Sequence, residues 1–175
     1  MRRIVVTKYD GPCGRLRLGA VDGRLCMCDW MVERHRELVD RRLRQELGSE
    51  MVWGTCDVID EAVRELDEYF AGTRQRFDVP LMFVGTEFQK RAWTALLDIP
   101  YGTTESYGAM AARMGCPNAV RAVANANGAN AISIFAPCHR VIGSDSKLTG
   151  YGGGLEVKRF LLELERGRIA PRLDV

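Results

Sequence analysis

A hydrophobic run, Ile132-Ser133-Ile134-Phe135-Ala136, delivers the tetrad Pro137-Cys138-His139-Arg140. A thiol beside an imidazole is the raw material of nucleophilic chemistry: the thiolate attacks and the imidazole takes its proton. Pro137 suits the first turn of a helix and would put Cys138 near a helix N-terminus, where the dipole favours a thiolate. Neighbours on a regular helix diverge by roughly 100°, so a direct Cys138–His139 pair is disfavoured and a bridging water carries the proton instead. Such a base needs a third group to orient it, and Glu165, inside a late apolar segment, is the candidate. Spacing alone leaves a buried structural cysteine open as the alternative.

The elements that must position these residues fall into two halves without an internal repeat. The first half opens with β-type segments at Ile4–Val6, Arg15–Val21 and Arg24–Trp30. Asp22-Gly23 between the last two is a hairpin signal. Residues 33–46 are densely charged and predict an exposed loop or helix. Ile59, Ala62, Val63, Leu66 and Phe70 recur at helical spacing, with Asp57 as a cap and Gly72 as a stop. A further strand is expected at Phe77–Phe83, and the half ends near Gly85. The second half reads as mainly helical. Thr86 with Gln89 forms a capping-box pattern ahead of Phe88, Ala92, Trp93, Leu96 and Leu97. A second helix is expected from Ser106 to Met114. After Gly115, Pro117 would open a third, through Ala119, Val120, Ala122, Val123 and Ala126. Two short helices around a Gly-containing turn fit helix-turn-helix geometry, and equally a plain helical hairpin.

Composition narrows the function classes. The chain has 175 residues, 46% hydrophobic and 27% charged, which suits one ordinary domain or two small ones with a real core. No apolar run approaches the roughly 20 residues of a membrane helix. The apolar stretch Ile4–Val6 is too short for a signal peptide, so a cytoplasmic protein is expected. Six cysteines, with no C-x-x-C pair and only His35 and His139 as histidines, argue against a disulfide frame. Cys13, Cys26, Cys28 and Cys56 lack zinc-ligand spacing; structural burial is the better reading, and a zinc site stays conceivable. The net charge of +2 announces no nucleic-acid partner. The second half is mildly basic, compatible with a phosphate-facing surface or with an ordinary solvated face.

Pro137-Cys138-His139-Arg140-Val141 resembles the active-site signature of the O6-alkylguanine-DNA alkyltransferases, the methylated-DNA–protein-cysteine methyltransferases. The likeness runs from Phe88 to about Arg166. It takes in Ile99-Pro100-Tyr101-Gly102, Ser106-Tyr107, Asn118–Val123, Asn130, Gly150–Gly154 and Lys158 with Leu161–Glu165. It implies an α+β fold: a small α/β domain of ribonuclease H-like type over 1–85, then a mainly helical domain over 86–175 with a winged-helix-like helix-turn-helix. It implies that Cys138 takes the alkyl group from guanine O6, and from O4-alkylthymine, while Glu165, His139 and a water remove its proton. Asn130 braces the active-site turn. The helix around 117–127 enters the minor groove of double-stranded DNA, with Ser106, Asn118 and Ala122 at that surface. Arg121 fills the gap left by the flipped nucleotide. Tyr107 hydrogen-bonds the guanine ring with support from Lys158, Tyr151 and Gly152 frame the base, and the Val141 carbonyl accepts from its exocyclic amine.

The physics agrees. A base inside a duplex must be extruded before a thiolate can reach it, and a guanidinium in the vacated gap recovers stacking. The product is a thioether with no carbonyl for water to attack, so each molecule acts once. No cofactor and no metal are implied, and a monomer is expected. Three departures stand out: Gly152 where many members carry Ser, Ser133 where some carry Pro near the alkyl pocket, and a single first-half histidine, His35, where some relatives have a histidine-containing zinc site. The rival readings are a DNA-binding regulator that uses Cys138 as an alkylation or redox sensor, a cysteine hydrolase, and a lesion binder, which the cysteine itself argues against.

Overall fold

The computed structural model describes residues 2–143 and 150–169. Strands β1 (Arg3–Gly11), β2 (Gly14–Val21) and β3 (Arg24–Trp30) form an antiparallel meander. Helix α1 (Glu33–Leu47) then crosses over, and β4 (Glu50–Trp53) returns parallel to β1, giving the order β3-β2-β1-β4. Asp22 and Gly23 hold φ of 50° and 72°, the twin positive values that a tight type I′ hairpin requires. Every residue from Leu16 to Val21 and from Leu25 to Trp30 is buried. The sheet is therefore covered on both faces here, which is why these strands do not alternate strictly.

Helix α2 (Asp57–Phe70) packs on the sheet through Ile59, Ala62, Leu66, Tyr69 and Phe70. Asp57 is its first helical residue rather than its cap; Cys56 holds the cap position without a side-chain bond. The strand expected at 77–83 does not form. Leu81 makes one isolated bridge to Leu25, with Leu25 N donating to Pro80 O and Met82 N to Leu25 O, both at 2.8 Å. Pro80 has no N–H to extend a ladder.

In the second half, α3 (Glu87–Leu96) starts on the predicted capping box. Ser106, in the two-residue strand β5 (Glu105–Ser106), caps α4 (Tyr107–Arg113) by accepting from Ala109 N at 3.0 Å. Helix α5 is Val120–Gly128. Pro117 lies in the turn before it and not in its first turn, because the chain must still bend after Gly115, whose φ is 80°. Strand β6 (Val141–Ile142) pairs parallel with β5, and α6 (Leu155–Glu165) closes the domain. Trp93, Leu96, Met110, Val123 and Ala126 centre this second core, where Trp93 Nε1 donates to Ala126 O at 2.8 Å. The architecture is a sheet-rich first domain followed by a helical one. Among the described residues no helix is long and apolar enough to cross a membrane.

One connection matters for the site. Residues 131–133 pair with the outer edge of β3: Cys28 N donates to Ala131 O and Ser133 N to Cys28 O, each at 2.8 Å. The segment leading into Cys138 is thus hydrogen-bonded to the first domain's sheet.

Candidate active site

After that pairing the chain turns sharply. Ile134 adopts φ 72°, a left-handed conformation rare for a β-branched residue, and strain of this kind persists only where its surroundings enforce it. Asn130 is among them. Its Oδ1 accepts from Ile132 N at 2.9 Å, and its Nδ2 donates to Ala136 O at 2.9 Å and to Cys138 Sγ at 3.2 Å.

Cys138, His139 and Arg140 form one 3₁₀ turn behind Pro137. The expectation of a thiolate-favouring helix end is corrected here. A single turn lacks the summed peptide dipoles of a helix. Burial pushes the Cys138 thiol up to about 11, against the opposing pull of the Asn130 hydrogen bond and the Lys158 charge.

The structure brings His139 and Glu165 together across the domain. His139 is fully buried, with Nε2 at 2.6 Å from Glu165 Oε2. Its Nδ1 is also buried and has no protein partner among the described residues. Glu165 further accepts from Arg140 Nε at 2.7 Å, Arg140 Nη2 at 3.2 Å, Tyr69 Oη at 2.6 Å and Gly102 N at 3.3 Å. Burial alone would raise this carboxyl, but the charges and hydrogen bonds of His139 and Arg140 outweigh it and hold it well below the usual carboxylate range.

Cys138 borders a cavity of about 390 Å³, lined also by Tyr107, Asn127, Gly128, Gly150, Tyr151 and Gly152. That volume lies within the range of small-molecule sites. A larger cleft of about 840 Å³ lies between Phe77, Leu97, Tyr101 and Arg140, but Cys138 does not line it. Of these two cavities, Cys138 lines the smaller alone.

The cavity walls are held from behind. Trp30 Nε1 donates to the Tyr151 hydroxyl at 2.9 Å, and a Cβ on Gly153 would lie 2.8 Å from the Trp30 ring, so only glycine fits there. Lys158 is buried, donates to the Val141 carbonyl at 2.6 Å, and sits 5.9 Å from the Tyr107 ring centroid. Burial lowers its ammonium to about 8. The Lys158 ammonium thus occupies one lone pair of the Val141 carbonyl. Arg121 and Ala122 are exposed on the first turn of α5, and Asn118 in the turn before it, outside the cavity walls. Ser106 serves as the α4 cap.

Sequence reasoning missed Tyr69, Trp30 and Gly102, because nothing local marks a core aromatic or a turn glycine as touching a residue 60 or more positions away. Among the described residues, no group of three or more His, Cys, Asp or Glu side chains is placed to hold a metal ion.

Comparison with known proteins covers both halves. The 6-O-methylguanine DNA methyltransferase ribonuclease-like domain matches residues 4–83, and the DNA binding domain of the same family matches 87–167. The methylated-DNA–protein-cysteine methyltransferase of Mycobacterium tuberculosis is 60% identical over 114 residues, 65% of this chain and 69% of that one. The protein of that name from Methanosarcina acetivorans is 57% identical over 105 residues, 60% of this chain and 67% of its own. The crystal structure of M. tuberculosis O6-methylguanine methyltransferase superposes with a TM-score of 0.79 at 43% identity, covering 97% of this chain and 95% of that one. The same protein in complex with DNA superposes equally, TM-score 0.79 and 43% identity, over 95% and 94% of the two chains. The buried Cys-His-Glu arrangement beside a small cavity thus sits in a chain that belongs, over both its domains, to the methylated-DNA–protein-cysteine methyltransferase family.

Proposed function

We propose that this protein repairs DNA by moving the alkyl group of O6-alkylguanine, and of O4-alkylthymine, onto Sγ of Cys138, once per molecule. The observation that carries this reading is Cys138 at the wall of a small cavity with its neighbour His139 locked onto Glu165. The thiol proton passes through a water to His139 Nδ1, the ring nitrogen that Glu165 leaves unused. Glu165 stabilises the imidazolium that results. The sulfur then attacks the alkyl carbon, the carbon–oxygen bond breaks, and its electron pair leaves on the guanine oxygen. Tyr107, at the cavity wall, donates a hydrogen bond to the departing ring, which lowers the cost of that charge. A thiol at about 11 is largely protonated at rest, so the thiolate is made on demand rather than stored.

Access requires the target nucleotide to leave the duplex. In this reading α5 enters the minor groove, Arg121 takes the vacated place in the stack, and Tyr151 and Gly152 frame the base. The dividing point near Gly85 separates a supporting domain from the DNA-binding, alkyl-accepting one. The protein works as a monomer on DNA inside the cell and needs no cofactor, since the DNA itself is the donor. The regulator reading, with Cys138 as a sensor, is disfavoured: relatives at 55–60% identity carry the methyltransferase name. A duplex oligonucleotide bearing O6-methylguanine with a labelled methyl tests the proposal. Label moves to the wild-type protein and not to Cys138→Ser; label on the serine variant, or on neither protein, contradicts it.

A further inference from the structure

Glu165 receives five hydrogen bonds, and one donor comes from the other domain. Tyr69, near the end of α2, is fully buried. Its hydroxyl donates to Glu165 Oε2 at 2.6 Å, the same oxygen that lies 2.6 Å from His139 Nε2. Oε1 accepts from Arg140 Nε at 2.7 Å and Gly102 N at 3.3 Å, while Arg140 Nη2 reaches Oε2 more loosely, at 3.2 Å. The Tyr69 ring cannot swing away, because Phe70, Phe77 and Tyr101 surround it with ring centroids at 5.2, 5.5 and 6.3 Å.

We propose that Tyr69 is a positioning residue for alkyl transfer, its hydroxyl sharing Glu165 Oε2 with His139 and so setting how strongly the carboxylate holds a proton on the imidazole. The inference rests on the reading of His139 as the base for Cys138. A hydroxyl bonded to a carboxylate draws charge from the oxygen it touches. With Tyr69 present, part of the Oε2 charge is committed to the phenol. Without it, that charge is left to His139, at 2.6 Å, and to the longer Arg140 Nη2 contact, so the proton is held more firmly on the imidazole and less neutral imidazole is available to accept the thiol proton.

The other groups around the carboxylate are accounted for. The 3₁₀ turn supplies His139 and Arg140, α2 supplies Tyr69, and the loop before β5 supplies Tyr101, over which the Arg140 guanidinium sits at 5.7 Å. Burial and the Glu165 charge push the Tyr69 phenol well above its ordinary value, so it remains a donor throughout the working range.

The test is the pH profile of single-turnover methyl transfer from a duplex carrying O6-methylguanine, across roughly pH 5 to 8. Wild type, Tyr69→Phe and a protein with 3-fluorotyrosine at position 69 are compared, with Cys138→Ser alongside. The acid limb of the Tyr69→Phe profile should move up by roughly half a pH unit. The more acidic fluorophenol, a stronger donor, should move it the other way. A uniform loss at every pH with an unmoved limb, or profiles that overlay wild type, overturns the proposal and leaves Tyr69 a packing residue. Should the Phe variant fold poorly, the fluorotyrosine protein keeps ring and hydroxyl and decides alone. Methyl transfer by Cys138→Ser would instead break the underlying reading of the site, and this inference with it.

Discussion

Replacing Glu165 with Gln keeps the shape of the side chain and removes its charge. The side chain is fully enclosed, and the Arg140 side chain bonded to it is only 7% exposed. The carboxylate satisfies five donors; an amide offers one acceptor oxygen and sets its own N–H groups against the donors on the other side. Arg140 still donates to the Ile99 carbonyl, at 2.7 Å, but loses the carboxylate charge that faced it. Stranding one partner of a buried ion pair costs about 3–5 kcal/mol, a large part of the stability of an ordinary domain. The pH dependence follows from the sign of the shift. Glu165 lies well below its unfolded value in the folded protein, so its stabilisation is complete above about pH 4.3 and fades as the pH falls below that. Urea unfolding of both proteins at neutral and acid pH is the assay. The gap between them should be several kcal/mol at neutral pH and should narrow below about pH 4. Adding Arg140→Met, which removes the stranded cation, should recover part of the loss. A neutral-pH gap under about 0.5 kcal/mol, or one that ignores pH, refutes the reasoning.

The other expectations concern the nucleophile and the DNA. Arg121→Ala should slow transfer from duplex DNA by about tenfold or more while leaving reaction with free O6-methylguanine base intact, since only the duplex demands extrusion; equal slowing of both in single-turnover assays contradicts the stacking role. Asn130→Ala strands the buried Ile132 N–H and Ala136 C=O and should destabilise by about 2–4 kcal/mol in denaturant melts, with slower Cys138 alkylation; an unchanged midpoint contradicts the bracing role. Cys138 in the DNA-free protein should react sluggishly with iodoacetamide at neutral pH and titrate towards about 11. A midpoint below the ordinary thiol value of about 8.5 would instead mean a thiol activated at rest.

What could be read from the sequence was local. The Thr86–Gln89 capping box and the Asp22-Gly23 hairpin are each decided within four residues, and the structure contains both. The Pro137-Cys138-His139-Arg140 tetrad is legible as chemistry, and the demand for an orienting group points to Glu165. The misses are of two kinds. Pro117, Pro137 and the 77–83 segment show tertiary context overriding local preference: Pro137 opens one 3₁₀ turn because the chain, pinned by Asn130 and bent at Ile134, runs straight on into β6. The Tyr69–Glu165 and Trp30–Tyr151 contacts join residues 96 and 121 positions apart. No periodicity within either helix or strand encodes such a meeting. These long contacts tie the first domain to the Cys138 surroundings, since α2 reaches the Glu165 carboxylate, and β3 reaches both Tyr151 and the segment that carries Cys138.

Intact-protein mass measured after incubation with a molar excess of duplex O6-methylguanine, followed by peptide mapping, addresses the transfer itself. One methyl should appear on each molecule, on Cys138 alone, with repaired guanine stopping at one equivalent of protein. Repaired guanine continuing past one equivalent, or a methyl mapped to any other residue, contradicts a once-only transfer to that sulfur.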